Sequence, residues 1–131
     1  MLYRTVPRTQ EKLPILGFGC MRFVERNGTI DEEHSKTLLR YAIDKGITHL
    51  DTGWMYHHGQ SESFLGRALA GGYREKVTLS TKLPHWLVSS REDMDFFLNT
   101  QLIRLNTGYI DYYLIHSIGK DSWNRMKALG V

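Results

Sequence analysis

The sequence predicts an α/β fold: the N-terminal half, (βα)4, of a TIM (β/α)8 barrel with a leading β-hairpin. Four short apolar runs each end at a residue able to bind a ligand closely or to react: Gly19, Asp51, Lys82 and His116. These endings lie about 31 to 34 residues apart with a helical pattern in each gap, which is the period of a βα barrel. A complete barrel typically needs about 250 residues. This chain has 131 residues, so the count stops at four βα units.

The whole chain of 131 residues is predicted to form one partial barrel domain. A hairpin is expected over residues 2–13, because two short apolar runs flank a polar segment, and the four βα units take residues 14–131. The first barrel strand is predicted over residues 15–19. The loop after it contains Asn27-Gly28, a pair typical of turns.

The first helix is predicted to begin near Thr29, because Thr29 and Glu32 have the spacing of a capping box. It is predicted to end at Gly46, since glycine often follows the last residue of a helix. Its apolar face is expected to consist of Leu38, Leu39, Ala42 and Ile43.

The remaining units repeat the order of strand and helix. The strands are predicted over residues 47–50, 77–81 and 110–115. The helices are predicted to begin at Ser61, Ser90 and Asp121. Gly71-Gly72 and Gly108 are expected to end the first two of these helices. The helix that begins at Ser90 has an apolar stripe of Met94, Phe97, Leu98, Leu102 and Leu105.

Composition argues against several classes of partner. The net charge is only +3 and the 17 basic residues are interleaved with acidic ones, so we expect no nucleic-acid partner. No apolar run approaches the roughly 20 residues of a membrane helix, and the N-terminus lacks the apolar core of a signal peptide. The single cysteine, Cys20, cannot form an internal disulfide, which agrees with a reducing compartment. We therefore expect a cytoplasmic protein without a membrane partner.

The histidines do not predict a metal site. Zinc catalysis uses three well-spaced ligands, and the adjacent His57 and His58 cannot easily converge on one ion. Nothing in the sequence indicates that the thiol of Cys20 is activated. We therefore expect no metal.

Three strand endings and a nearby tyrosine carry side chains suited to carbonyl chemistry. Parallel barrels place their active sites at the C-terminal ends of the strands, so Asp51, Lys82 and His116 are expected to lie together. Tyr56 follows Asp51 in the next loop. An ammonium stabilises a phenolate, which makes a tyrosine a better general acid, while a carboxylate keeps the lysine charged and an imidazole orients a substrate oxygen. Each residue alone has an ordinary structural explanation, but their joint occurrence at the barrel period favours catalysis.

The residues around this set resemble the aldo-keto reductase family. The segment from Asp51 to Glu62 is similar to the family signature D-T-x-x-x-Y…S-E. Thr81-Lys82 and the run from Ile110 to His116 match the next two family motifs in order and spacing. The resemblance covers essentially the whole chain. It is closest to a bacterial and archaeal branch, some members of which carry a C-terminal iron–sulfur segment.

The resemblance implies an oxidoreductase that reduces aldehydes or ketones to alcohols with NADP(H), or alternatively NAD(H). Tyr56 would be the general acid, Lys82 would stabilise its phenolate, Asp51 would hold Lys82, and His116 would orient the carbonyl. Gly19, Cys20, Met21 and Asp51 would contact the cofactor. Trp54, His57 and Trp86 would line the pocket for a small carbonyl substrate.

The family pattern also defines what four units would lack. The main cofactor contacts of the family come from later strands, so we expect weak cofactor binding by this chain alone. An exposed pair of strand edges would favour self-association. The alternative function is therefore a non-catalytic half barrel that acts as an assembly or regulatory module.

Overall fold

The computed structural model describes residues 1–131 and is built around four parallel strands, each followed by a helix. The strands are β1 (Tyr3–Thr5), β2 (Lys12–Pro14), β3 (Phe18–Gly19), β4 (Glu25–Arg26), β5 (Thr29–Ile30), β6 (His49–Asp51), β7 (Thr78–Leu83) and β8 (Tyr112–Ile115). The helices are α1 (Glu32–Asp44), α2 (Ser61–Ala68), α3 (Arg91–Arg104) and α4 (Lys120–Ala128), and short 3₁₀ turns lie at Arg74–Lys76 and His85–Leu87. The predicted partial α/β barrel is confirmed.

The order β3-β6-β7-β8 places the C-terminal ends of the four strands side by side. In this parallel sheet Gly19 pairs with Asp51, and Asp51 pairs with Ser80. Lys82 lies two residues further along β7, beside Leu114 of β8. The register therefore brings the polar strand endings to one end of the sheet. A separate antiparallel hairpin, β1-β2, precedes the sheet.

The first barrel strand is shorter than predicted. Only Phe18 and Gly19 pair with β6, while Ile15 and Leu16 are 55% and 53% exposed. The N–H of Ile15 donates to the carbonyl of Leu2, so this residue still belongs to the edge of the hairpin rather than to the sheet.

The segment before α1 forms a second hairpin, β4-β5, where the sequence predicts a loop and a helix start. Asn27 and Gly28 both have positive φ, at 52° and 76°, as a tight two-residue hairpin turn requires. Thr29 is consequently in β5, so the prediction that it caps the helix was wrong. The side chain of Asp31 caps α1 by accepting the N–H of His34.

The buried face of α1 and the end of α3 differ from the prediction. Leu38 of α1 is 47% exposed, and the buried Ser35 lies on the inner face instead. Helix α3 ends near Asn106, whose φ is +49°, and not at Gly108. Asparagine tolerates the left-handed conformation better than most residues, and it can end a helix as glycine does.

The core has two parts that differ in size. The larger part, which includes Leu50, Phe64 and Leu79, lies between the sheet and helices α1 and α2. The smaller part, which includes Met94 and Met126, lies under α3 and α4. Helices α2 and α3 approach so closely that a Cβ on Gly66 would lie 2.6 Å from the carbonyl oxygen of Arg104. No helix is both long and apolar enough to span a membrane.

A buried cation closes the N-terminal end of the sheet. The Arg74 guanidinium donates to Asp111 Oδ2 at 2.8 Å, to the carbonyls of Val77 and Tyr109, each at 3.0 Å, and to Thr107 Oγ1 at 3.1 Å. Asp111 also accepts the N–H of Leu79. This network ties the start of β7 to the segment before β8.

The two edge strands of the sheet, β3 and β8, have no further strand beside them. On β8, Tyr113 is 37% and Leu114 is 45% exposed. Self-association through these edges stays a prediction.

Candidate active site

Lys82 joins three parts of the predicted site. Its ammonium donates to Asp51 Oδ1 at 2.6 Å, to the carbonyl of Thr52 at 2.5 Å and to the hydroxyl of Tyr56 at 3.1 Å. These three bonds use all the hydrogens of an ammonium group. The side chain of Lys82 is only 14% exposed, so its charge lies next to the tyrosine oxygen with little water around it.

The alternation of β7 explains how the lysine meets Asp51. Ser80 and Lys82 are two residues apart and therefore lie on the same face of the strand. Ser80 donates to Asp51 Oδ2 at 3.0 Å, while Lys82 donates to the other oxygen. Asp51 is thus held at both oxygens by one neighbouring strand.

Tyr56 reaches Lys82 through a tight turn after β6. The N–H of Tyr56 donates to the carbonyl of Gly53 at 3.1 Å. A Cβ at Gly53 would lie 3.1 Å from the Tyr56 ring, so the absence of a side chain at Gly53 lets the ring fold back over the turn. The ring also lies beneath the ammonium of Lys82, whose nitrogen is 4.7 Å from the ring centre.

His116 lies between two aromatic rings at the end of β8. Its ring centre is 5.8 Å from that of Tyr56 and 5.3 Å from that of Trp86. Its Nδ1 atom is buried without a hydrogen-bond partner. Burial, followed by the charge of Lys82, holds the pKa of His116 below its usual value. His116 is therefore a neutral imidazole near pH 7. Its Nε2 atom is not buried and has no hydrogen-bond partner in the protein, so this nitrogen is free to bond a ligand.

These groups open onto a cavity of about 660 Å³, a size typical of small-molecule sites. The cavity is lined by Met21, Arg22, Phe23, Glu25, Met55, Tyr56, His57, His58, Trp86 and His116. Five residues predicted from the sequence are therefore in its wall, namely Met21, Tyr56, His57, Trp86 and His116.

Five predicted residues lie outside this wall: Lys82, described above, and four others. Gly19 and Asp51 are paired neighbours at the ends of their strands, and a Cβ on Gly19 would meet nothing within 4 Å. Cys20 is fully buried, so its side chain does not reach the cavity. The burial also raises the pKa of its thiol. Trp54 packs edge-on against Phe97, and it borders a separate depression of about 330 Å³.

Two buried hydroxyls, for which the sequence predicts no part in the site, fix the strand endings. Thr52 and Ser61 share a hydrogen bond of 2.9 Å, and Ser61 donates to the carbonyl of Cys20 at 3.0 Å. Helix α2 is thereby attached to the ends of β3 and β6. Glu62, also fully buried, bonds to Thr81 and Gln101 and pairs with Arg104. The presence of Thr52, Ser61 and Glu62 in the same motif as Asp51 and Tyr56 was the available signal.

Arg125 of α4 holds the turn that carries Trp86. Its guanidinium donates to the carbonyl of Val88 at 2.6 Å and to the carbonyl of His85. The sequence offers no pattern from which this long-range contact could be read. No group of three or more His, Cys, Asp or Glu side chains has a geometry that could hold a metal ion.

Comparison with known proteins shows what the chain is similar to. The Aldo/keto reductase family profile matches residues 15–128. The methylglyoxal reductase YeaE of Escherichia coli is 37% identical over 119 residues, which are 88% of this chain and 39% of that protein.

Two solved structures are similar over nearly the whole chain. The thermostable aldo-keto reductase Tm1743, solved with the inhibitor epalrestat, matches with a TM-score of 0.79 at 32% identity, covering 98% of this chain and 49% of its own. An aldo-keto reductase from Klebsiella pneumoniae, solved with NADPH, matches with a TM-score of 0.76 at 30% identity, covering 99% of this chain and 47% of its own. The chain thus spans about half of these structures and less of the curated relative. It belongs to the aldo/keto reductase family.

Proposed function

We propose that the protein reduces a small aldehyde or ketone to an alcohol with NADPH, and that Tyr56 is its general acid. One observation carries the proposal: the Lys82 ammonium lies 3.1 Å from the Tyr56 hydroxyl and 2.6 Å from Asp51, beside a cavity of suitable size. A carbonyl oxygen gains negative charge as hydride reaches its carbon, so a proton must be supplied at that oxygen.

Each residue of the set has a defined part in that proton transfer. Tyr56 donates its hydroxyl proton to the carbonyl oxygen. The ammonium of Lys82 stabilises the phenolate that remains, and Asp51 keeps the ammonium oriented. His116, held neutral, donates an N–H to the same oxygen and orients the carbonyl. Trp86 and His116, which pack against each other in the cavity wall, would contact the substrate.

The wall of the cavity also suits the cofactor. NADPH, when bound, supplies the hydride. Met21 and Arg22 would hold it, with Gly19 and Asp51 beneath, because the space beside Gly19 is open and Arg22 offers a cation to an anionic cofactor. The Klebsiella pneumoniae relative solved with NADPH supports this choice. A parallel assay with NADH would test the preference for the phosphorylated form.

Replacing Tyr56 with phenylalanine tests the assignment. We expect Tyr56→Phe to lower the rate of NADPH consumption with a panel of aldehydes about 10²- to 10⁴-fold, because the acid is removed while the ring remains. Tyr41→Phe is the matched control, since Tyr41 is 61% exposed on α1. Unchanged turnover of Tyr56→Phe would refute the role of Tyr56.

A further inference from the structure

One imidazole connects the two loops that form the cavity. His57 Nε2 lies 2.9 Å from the backbone nitrogen of Phe23, in the loop after β3. His57 Nδ1 lies 2.6 Å from Glu25 Oε1, in the hairpin that follows. The His57 side chain is only 5% exposed, although it lies next to the solvent-facing cavity.

The partners determine which nitrogen carries the hydrogen. A backbone N–H can only donate, so Nε2 must offer its lone pair to Phe23. The hydrogen is therefore on Nδ1, where it donates to the carboxylate of Glu25. The hydrogen bond to this carboxylate fixes the orientation and tautomer of the ring, and so leaves the lone pair of Nε2 available as an acceptor. Glu25 thus orients the acceptor that Phe23 needs.

The backbone at His57 adopts a conformation that needs such support. His57, His58 and Gly59 follow one another with φ of +51°, +54° and +85°. Left-handed conformation is unfavourable for residues with a Cβ, and it persists where surrounding contacts determine it. This turn directly follows Tyr56 and points the imidazole at the other loop.

Phe23 transmits the contact to the cavity wall. Its ring is buried in the core, 4.8 Å from that of Phe64, and 5.6 Å from the His57 ring. Met21 and Arg22 immediately precede it and line the cavity. An anchored Phe23 therefore fixes the wall that Met21 and Arg22 present to a ligand.

We propose that His57 is a positioning residue that fixes the Met21–Phe23 wall of the cavity through the N–H of Phe23. It does not touch the reacting atoms, because both of its ring nitrogens are bonded within the protein. Lys82, Asp51 and Tyr56 are held by their own bonds, independently of this contact. In the enzyme of the proposed function, on which this kinetic part rests, loss of His57 therefore weakens ligand binding more than the chemical step.

Two substitutions that differ in one acceptor test the contact. Asparagine tolerates the left-handed backbone, but its side chain is too short to reach Phe23; glutamine can place a carbonyl near the position of Nε2. We expect the amide hydrogen of Phe23 to exchange about tenfold faster in His57→Asn and within about threefold of the native rate in His57→Gln. His34→Asn is the matched control, because His34 is exposed on α1 and its ring bonds to nothing.

Amide exchange on the 131-residue chain decides the inference without any assay of activity. Native exchange at Phe23 in His57→Asn, or equal acceleration in the asparagine and glutamine variants, would overturn it. If His57→Asn does not fold, Glu25→Ala replaces it, since Glu25 is partly exposed and its loss frees the ring; we then expect about threefold faster exchange at Phe23. An unchanged rate there would equally overturn the inference.

Kinetics separate this role from a general loss of structure. We expect KM for NADPH or the carbonyl substrate to rise about tenfold in His57→Asn with kcat within about twofold of native. A fall in kcat without a change in either KM would contradict positioning of the wall. Absence of turnover in the native protein would contradict the proposed function, while the exchange result would still stand.

Discussion

Polar side chains gather at both ends of the sheet, but their bonding differs. At the N-terminal end, Arg74 and Asp111 bond to each other and to surrounding backbone, and the network is closed. At the C-terminal end, the ammonium of Lys82 is equally saturated, yet it lies against Tyr56 beside a cavity. The ring of His116 lines that cavity and makes no hydrogen bond within the protein. Unused bonding capacity beside open space therefore distinguishes the candidate site from a structural ion pair.

The largest effect should come from removing the charge at the C-terminal end. We expect Lys82→Met to lower the rate of carbonyl reduction about 10³-fold, because the phenolate of Tyr56 loses its stabilising cation. The unfolding free energy should change by less than about 1 kcal/mol, since Asp51 is 38% exposed and keeps its bond from Ser80. Steady-state kinetics and urea denaturation of the same variant measure both. A fall in the unfolding free energy as large as the rise in the activation free energy would show that Lys82 has a structural role.

The opposite pattern is expected at the N-terminal end. Arg74→Leu should lower the unfolding free energy by about 3 kcal/mol, because it leaves the Asp111 carboxylate, 22% exposed, without its cation. Arg67→Leu is the matched control: Arg67 pairs with Glu32 at the surface, and its loss should cost less than about 1 kcal/mol. Urea denaturation of both variants measures the difference. Equal stability of the two would remove the contrast between the buried network and a surface pair.

The smallest effect concerns the pH dependence of stability. The pKa of His116 is lowered in the folded state, so the unfolded chain takes up a proton near the ordinary value of 6.5 before the folded one does. Stability should therefore fall as pH drops through 6.5 toward the lower folded pKa, with no contribution above that range. We expect His116→Gln to make the curve flatter over this interval, whereas His34→Gln should not. The change is small because the ring is partly exposed. Denaturation curves at several pH values measure this effect. The same dependence of the unfolding free energy on pH in the native protein and in His116→Gln would contradict the prediction.

The sequence predicts the part of the site that depends on strand periodicity. Asp51 and Lys82 come together because parallel strands align their C-terminal ends, and Tyr56 follows because a short turn leaves it little freedom. Helices α2 and α3 start where Ser61 and Ser90 indicate, and in the structure Ser90 forms a capping box with Asp93.

What the sequence did not predict depends on contacts between distant residues. The hairpin β4-β5 displaced the expected start of α1 from Thr29, because the pairing of Glu25 with Ile30 has no periodic signal in so short a strand. Cys20 is one residue past a strand end, yet its side chain faces the core instead of the cavity. The adjacency of His57 and His58 gave no indication that one ring is buried between Phe23 and Glu25 while the other is exposed.

The buried thiol of Cys20 can serve as an intrinsic probe of local opening near the cavity. A thiol reacts as the thiolate, and here burial both raises the pKa of the thiol and blocks the approach of a reagent. Because Cys20 is the sole cysteine and adjoins Met21, its alkylation would occur at one site only and would require this stretch to open. The rate of labelling would therefore measure how often the segment at the entrance to the cavity opens.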